Sequence, residues 1–341
     1  MKRTQTLETP AGPEPPLARL AAALGEGGAD LSRLLAATER RLFEVAEAHG
    51  EVLGHHAVAT LGAGGKRLRP MLVFLCAGGQ TGEHVVRAGA AVELVHMATL
   101  VHDDVVDRAS LRRGRPTVFV EGGRQTAIAT GDLLFSRAFA ELVPTGDTEG
   151  VRALSTACSA LARGELMQRE DAWSEAVTPE RYLERCELKT ARLFEAACRL
   201  GARLGTADTR KAVEALAFFG ARIGLAFQLF DDVLDVSGPA ERTGKQRGAD
   251  LLDGTVTLPL ILARRRDPAL RALDLCEAVT DPAQAGALCD RIALTGALGA
   301  AREHALGYVA EAKAALSGAE LTAERQAALA LVADAVVERY A

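Results

Sequence analysis

Two short runs of acids carry the clearest chemistry in this 341-residue chain. One is Asp103-Asp104-Val105-Val106-Asp107 and the other is Asp231-Asp232-Val233-Leu234-Asp235. Both read DDxxD, and both end a long apolar segment of helical period. On a helix the first and last Asp are i and i+4, with Cβ atoms roughly 5–6 Å apart, so their carboxylates leave from one face. Three like charges in one turn repel each other, and a helix end facing a core cannot leave them uncompensated. A hard, oxygen-seeking cation answers that need. Mg²⁺ takes one or two carboxylates and completes its shell with water and phosphate oxygens. A single DDxxD is commonly a solvated helix end. Two copies, each behind a long apolar helix, point to a diphosphate held through bridging metals.

Metals alone would hold one anion, and the sequence has more positive groups than that requires. Gly65-Lys66-Arg67-Leu68-Arg69-Pro70 follows a Gly-rich turn, with Lys66 and Arg69 expected on one helix face. Arg112-Arg113-Gly114-Arg115-Pro116 follows the first acidic run, Lys189-Thr190 is expected inside a helix, and Lys245 sits in a Gly-flanked loop over 237–248. Arginine suits bidentate phosphate contact and lysine supplies a point charge. Interleaved with two acidic runs, these groups suggest two diphosphates in one site, one bound through metal and one by side chains directly. His96 and His102 are i, i+6 and make no convincing zinc pair. No Ser-His-Asp or Cys-His arrangement can be argued.

The elements that must position these residues are helices. Helical spacing runs over approximately 30–49, 51–62, 67–80, 84–108, 123–142, 149–171, 179–203, 207–236, 255–266, 279–292, 298–317 and 321–340. Thr178-Pro179-Glu180 is a start signal: a capping residue, then Pro at the first helical position, then an acid. Strand alternation, Asn-Gly hairpin turns, GxGxxG and P-loops are missing. Aromatics are only 4% of the chain, so the core must be Ala, Leu and Val, which suits close-packed helices. The reading is all-α, one catalytic domain over 29–341. Residues 1–28, with Pro10, Pro13, Pro15 and Pro16, read as a flexible tail.

A net charge of −5 gives no reason to expect a nucleic-acid partner. Cys76, Cys158, Cys186, Cys198, Cys276 and Cys289 include no CxxC pair and read as reduced thiols of a cytoplasmic protein. No signal peptide and no uncharged apolar run of spanning length is found, so no membrane span is expected. Peripheral contact with a membrane surface stays open.

Over roughly residues 30–340 the chain resembles the trans-isoprenyl diphosphate synthase (polyprenyl synthetase) family, through Gly65 to Pro70, His96 to Asp107, Leu111 to Thr117, Lys189-Thr190, Phe227 to Asp235 and Lys245 to Pro259, in family order. The resemblance implies an all-α bundle around a deep central cavity, as a homodimer. It implies Mg²⁺, three ions, bound with the allylic diphosphate, with Asp103, Asp107 and Asp231 as ligands. Asp104 would support the first motif, and Asp232 and Asp235 would act directly or through water. Arg112, Lys189, Gln228 and Lys245 would hold the allylic diphosphate. Lys66, Arg69, His96 and Arg113 would hold isopentenyl diphosphate, and Thr190 would lie near the reacting carbon. A terpene cyclase shares fold and first motif but lacks the basic groups Lys66, Arg69 and Arg113.

Val95, Ala98 and Thr99 lie eight, five and four residues before Asp103, where the family's cavity wall controls product length. None is aromatic, so the tunnel is expected to be open and the product a long-chain all-trans polyprenyl diphosphate, a quinone side-chain precursor. The alternatives are a short-chain synthase making geranylgeranyl or farnesyl diphosphate, and a noncatalytic subunit of a heteromeric synthase.

Overall fold

A computed structural model describes residues 20, 23–25, 27–62, 64–65, 67–205, 209–238, 247–319 and 321–338. The order is α1 (Gly27–Glu47), α2 (Glu51–Gly62), α3 (Leu68–Cys76), α4 (Glu83–Val106), β1 (Leu111–Arg112), β2 (Arg115–Pro116), α5 (Val118–Leu142), α6 (Thr148–Glu170), α7 (Pro179–Cys186), α8 (Arg192–Leu204) and α9 (Arg210–Ser237). The short helices α10 (Ala249–Leu252), α11 (Leu258–Arg266), α12 (Pro268–Arg271) and α13 (Leu275–Ala278) follow, then α14 (Pro282–Leu294), α15 (Ala297–Ala315) and α16 (Ala323–Glu338).

The all-α expectation holds, and the two acidic runs end the two central helices, α4 and α9. Both helices are long and apolar enough to cross a membrane by length and composition. Both sit inside the bundle, with 67% and 56% of their apolar windows buried. Their buried faces are rich in Ala, Val and Leu, and the largest fully buried side chains of the bundle include Phe219 and Phe230 of α9, Phe194 of α8 and Tyr182 of α7. Such small residues let helices approach closely. A Cβ at residue 201 on α8 would stand 2.1 Å from the Val73 carbonyl oxygen of α3. Glu141 of α5, fully buried, is neutralised by Arg41 of α1 at 2.8 Å and Arg87 of α4 at 3.2 Å, which ties three helices together.

Two local expectations are corrected. The first helix opens at Gly27 and Leu20 is buried, so the packed chain reaches into the 1–28 segment; most of that segment lies outside the described residues. A hairpin also exists. β1 and β2 pair antiparallel, Leu111 opposite Pro116 and Arg112 opposite Arg115. Its two turn residues, Arg113 at φ 53° and Gly114 at φ 74°, are both left-handed, as tight hairpins require. The turn is built on Arg-Gly, so Asn-Gly is the wrong signal for it.

Candidate active site

The first acidic run occupies the last turn of α4, capped by Asp107, whose N–H donates to the Asp103 carbonyl. Asp104 is buried, and the Arg112 guanidinium donates to its Oδ1 at 2.7 Å. The hairpin is thereby fastened to the motif. Burial pushes the Asp103 carboxyl up to about 6, helped by the nearby charges of Glu165 and Asp107 and opposed by Lys189 and Arg112. The carboxylate form of Asp103 is thus costly in this buried position. An all-oxygen donor set with a buried carboxylate to compensate fits a hard divalent cation.

Facing it is the last turn of α6, which the sequence reading passed over. Arg169 pairs with Asp107, and Lys189 pairs with Glu165. The Lys189 ammonium also donates to Gln168 Oε1 at 3.1 Å. Burial lowers the Lys189 pKa, but Asp103 and Glu165 outweigh it and leave it raised. Glu165, Gln168 and Arg169 are i, i+3 and i+4, one polar face at a helix end. In the sequence they look like an ordinary solvated stripe, and Gly164 beside them is the only hint of close packing.

Lys189 and Thr190 lie in a π-helical turn, Glu187–Ala191, between α7 and α8, closed by the Arg192 N–H on the Glu187 carbonyl. Such turns often mark functional positions. Two glycines make room for it. A Cβ at residue 164 would stand 2.6 Å from the Lys189 nitrogen, and one at residue 224 would stand 2.6 Å from the Ala191 Cα. The bulge is pressed between α6 and α9, so adjacent residues serve opposite motifs. Lys189 faces the first. Thr190 donates to Gln228 Oε1 at 2.7 Å, and Gln228 donates to Asp232 Oδ1 at 2.7 Å.

Asp232 is fully enclosed. Tyr182 of α7 donates to its Oδ2 at 2.6 Å. Burial and then the neighbouring Asp250 push its carboxyl well above the usual range, against the hydrogen bonds from Tyr182 and Gln228. Both oxygens therefore face protein donors, and Asp232 braces the second motif. Asp231 stays half-buried. Asp235 turns to the chain that follows: Asp250 N–H donates to its Oδ2 at 3.3 Å, and Gly248 N–H donates to its carbonyl at 3.0 Å. It thereby anchors the far end of the loop carrying Lys245, which lies outside the described residues.

The basic residues divide into two sets. Arg67, in the same basic run as Arg69, is left-handed at φ 45° and serves the fold: it meets Glu39 at 2.5 Å, Glu93 at 2.7 Å and the Leu61 carbonyl at 3.0 Å. α3 starts at Leu68, directly after that left-handed residue; the expected helical pairing of Lys66 with Arg69 falls on Lys66, which lies outside the described residues. Arg69, His96 and Arg113 form the second set. Arg69 lies over the Phe194 ring at 4.5 Å, and its Nε is buried with no hydrogen-bond partner. Burial and then Arg113 pull the Arg69 guanidinium down to about 10, against Glu93. Burial, then Arg69, Arg113 and Arg112, hold His96 well below the ordinary His range. A Cβ on Gly65 would meet the Arg113 guanidinium at 3.0 Å, so the two basic loops touch. Three basic side chains close enough to depress one another favour a bound anion.

Val95 and Ala98 are fully buried on α4, and Thr99 turns its hydroxyl to the His96 carbonyl at 2.7 Å. No bulky side chain stands at these three positions.

Paired acid motifs around a π-helical lysine, with a cationic pocket beside them in an all-α bundle, define an enzyme that handles diphosphate esters. Residues 51–288 match the polyprenyl synthetase family model. The chain is 38% identical over 270 residues to heptaprenyl diphosphate synthase component 2 of Geobacillus stearothermophilus, covering 79% of this chain and 84% of that protein. It is 39% identical over 259 residues to the geranylgeranyl diphosphate synthase of Methanosarcina mazei, covering 74% and 79%. A polyprenyl synthase from Caulobacter crescentus, solved with calcium and isoprenyl diphosphate, superposes with a TM-score of 0.86 at 34% identity, covering 96% of this chain and all of that one. The chain belongs to the polyprenyl synthetase family and is a prenyltransferase, a trans-prenyl diphosphate synthase using isopentenyl and allylic diphosphates.

Proposed function

We propose that this synthase adds isopentenyl diphosphate repeatedly to an allylic primer and releases a long-chain all-trans polyprenyl diphosphate, a quinone side-chain precursor. The observation that carries the chain length is Ala98, small and fully buried one turn before the first acidic motif, with Val95 and Thr99 around it. A growing chain is stopped where a bulky side chain fills its path, and none stands there. Ala98→Phe is expected to shorten the product by several isoprene units. An unchanged product length removes this reading and favours the shorter, geranylgeranyl class, to which one of the similar proteins belongs.

The same proposal assigns the side chains. Asp103, Asp107 and Asp231 would hold three Mg²⁺ ions. When bound, Mg²⁺ supplies Lewis-acid stabilisation of the departing diphosphate. Arg112, Lys189, Gln228 and Lys245 hold the allylic diphosphate, while Lys66, Arg69, His96 and Arg113 hold isopentenyl diphosphate. Of these donors, Arg112 is fixed beforehand by Asp104 and Lys189 by Glu165 and Gln168, so little reorganisation opposes the build-up of charge. As the allylic C–O bond breaks, the electron pair leaves with the diphosphate, and Lys189 and Arg112 stabilise it. The isopentenyl double bond attacks the allylic carbon, and a proton passes to the released diphosphate. Thr190 donates its hydrogen to Gln228, leaving oxygen lone pairs for the positive carbon. Two anion sites in one cleft keep the reacting carbons in register. The enzyme is proposed to act as a homodimer in the cytoplasm; all six of its cysteines are free, in keeping with a reducing compartment.

A further inference from the structure

A second cluster of ligating side chains stands apart from the acidic motifs. His55 and His56 of α2 and Glu121 in the first turn of α5 bring one ligand atom each to within 4.8 Å of one another. His55 and Glu121 are exposed, while His56 is 9% exposed. The two imidazoles meet edge to face, with centroids 5.2 Å apart. His56 Nδ1 is buried with no hydrogen-bond partner. A buried imidazole nitrogen without a partner costs free energy, and ligation is one way to satisfy it. The next residue, Gly122, leaves room for the ring: a Cβ there would stand 2.8 Å from His56 Nε2.

We infer that His55, His56 and Glu121 form a site for a divalent transition cation of the Zn²⁺ type, distinct from the hard-cation centre. Two imidazoles and one carboxylate select borderline metals, whereas Mg²⁺ prefers oxygen throughout. Ligands about 2.0–2.1 Å from one tetrahedral ion are roughly 3.3 Å apart. The gap from 4.8 Å is closed by the exposed His55 and Glu121 side chains, and water fills the fourth position. The site joins α2, which leads to the Gly64–Gly65 turn, to the short turn that follows the Arg112–Arg113 hairpin. That turn is set off from the rest of α5 by the non-helical Gly123, at φ 76° and ψ 172°. An ion here locks together the two segments that carry the basic residues.

The test is titration of Zn²⁺ into chelator-stripped full-length protein, with Mg²⁺ in excess to occupy the acidic motifs and Cys276→Ser to remove the exposed thiol. Wild-type ligands are expected to give one saturable site. His55→Ala and Glu121→Gln, both at exposed positions, are each expected to weaken it by more than the ~10–100-fold that loss of a ligand's supporting partner costs. Absence of saturable binding, or binding unchanged in either variant, overturns the inference. Neither result bears on prenyl transfer, which is measured separately in Mg²⁺ alone.

Discussion

The Tyr182 hydroxyl and the Asp232 carboxylate meet at 2.6 Å in a fully enclosed space between α7 and α9. This bond and the Gln228 bond to the other Asp232 oxygen hold the second acidic motif against the π-helical turn. Tyr182→Phe keeps the ring and removes the donor, leaving one buried carboxyl oxygen unsatisfied. The expected cost is about 1–3 kcal/mol of stability, with a lower kcat, because Asp231 loses its brace. Thermal unfolding and steady-state kinetics check this; a variant with unchanged kcat would show that the brace is dispensable.

Gly164 is where α6 touches the Lys189 backbone. A methyl there meets main-chain atoms, which cannot step aside as a flexible side chain can. Gly164→Ala is expected to cost about 1–3 kcal/mol through overpacking and to depress activity by displacing Lys189. Gly286 on α14 is the control, since a Cβ there meets nothing within 4 Å. Gly286→Ala should stabilise the protein by up to ~1 kcal/mol through helix propensity. Equal effects at both positions would contradict the packing argument.

Asp103 sets a pH dependence whose sign follows from its raised pKa. Its carboxyl titrates at about 6 in the fold, against 3.8 for an unperturbed Asp. The folded state therefore holds the proton more tightly. The stabilisation from this group is complete below pH 3.8 and is lost as pH rises through about 6. In chelator at neutral pH, Asp103→Asn is expected to be more stable than wild type, on the order of 2 kcal/mol. The advantage should shrink as pH falls towards 4. Added Mg²⁺ should raise the unfolding temperature of wild type far more than that of the variant. A less stable Asp103→Asn protein in chelator would refute the view that the buried Asp103 charge costs stability.

The acidic runs, their order along the chain and the all-α class were legible because each depends on local spacing. Asp103 and Asp107 share a face by helix geometry alone. Roles set by tertiary packing were not. Arg67 and Arg69 stand two residues apart in one basic run, yet one is neutralised by Glu39 and Glu93 while the other lies against Phe194 and Arg113. Periodicity carries no sign that Arg67 is left-handed and stands just before the helix that carries Arg69. The π-helical turn at Lys189 has the sequence pattern of plain helix, because an i→i+5 bulge changes no residue type. Glu165, Gln168, Arg169 and Tyr182 gave no signal, since polar residues at a helix end are ordinarily solvated. The pair His55-His56 carries no metal signal in the sequence because its third partner, Glu121, is distant along the chain.

The most direct test of chain elongation at this site is product analysis. Purified protein is incubated with Mg²⁺, isopentenyl diphosphate and farnesyl diphosphate, and the dephosphorylated products are weighed by mass spectrometry. The account predicts a ladder of isoprene additions ending at a long polyprenol, abolished in Asp103→Asn. A single addition would overturn the long-chain reading, and no product from any allylic primer would contradict elongation by this chain alone.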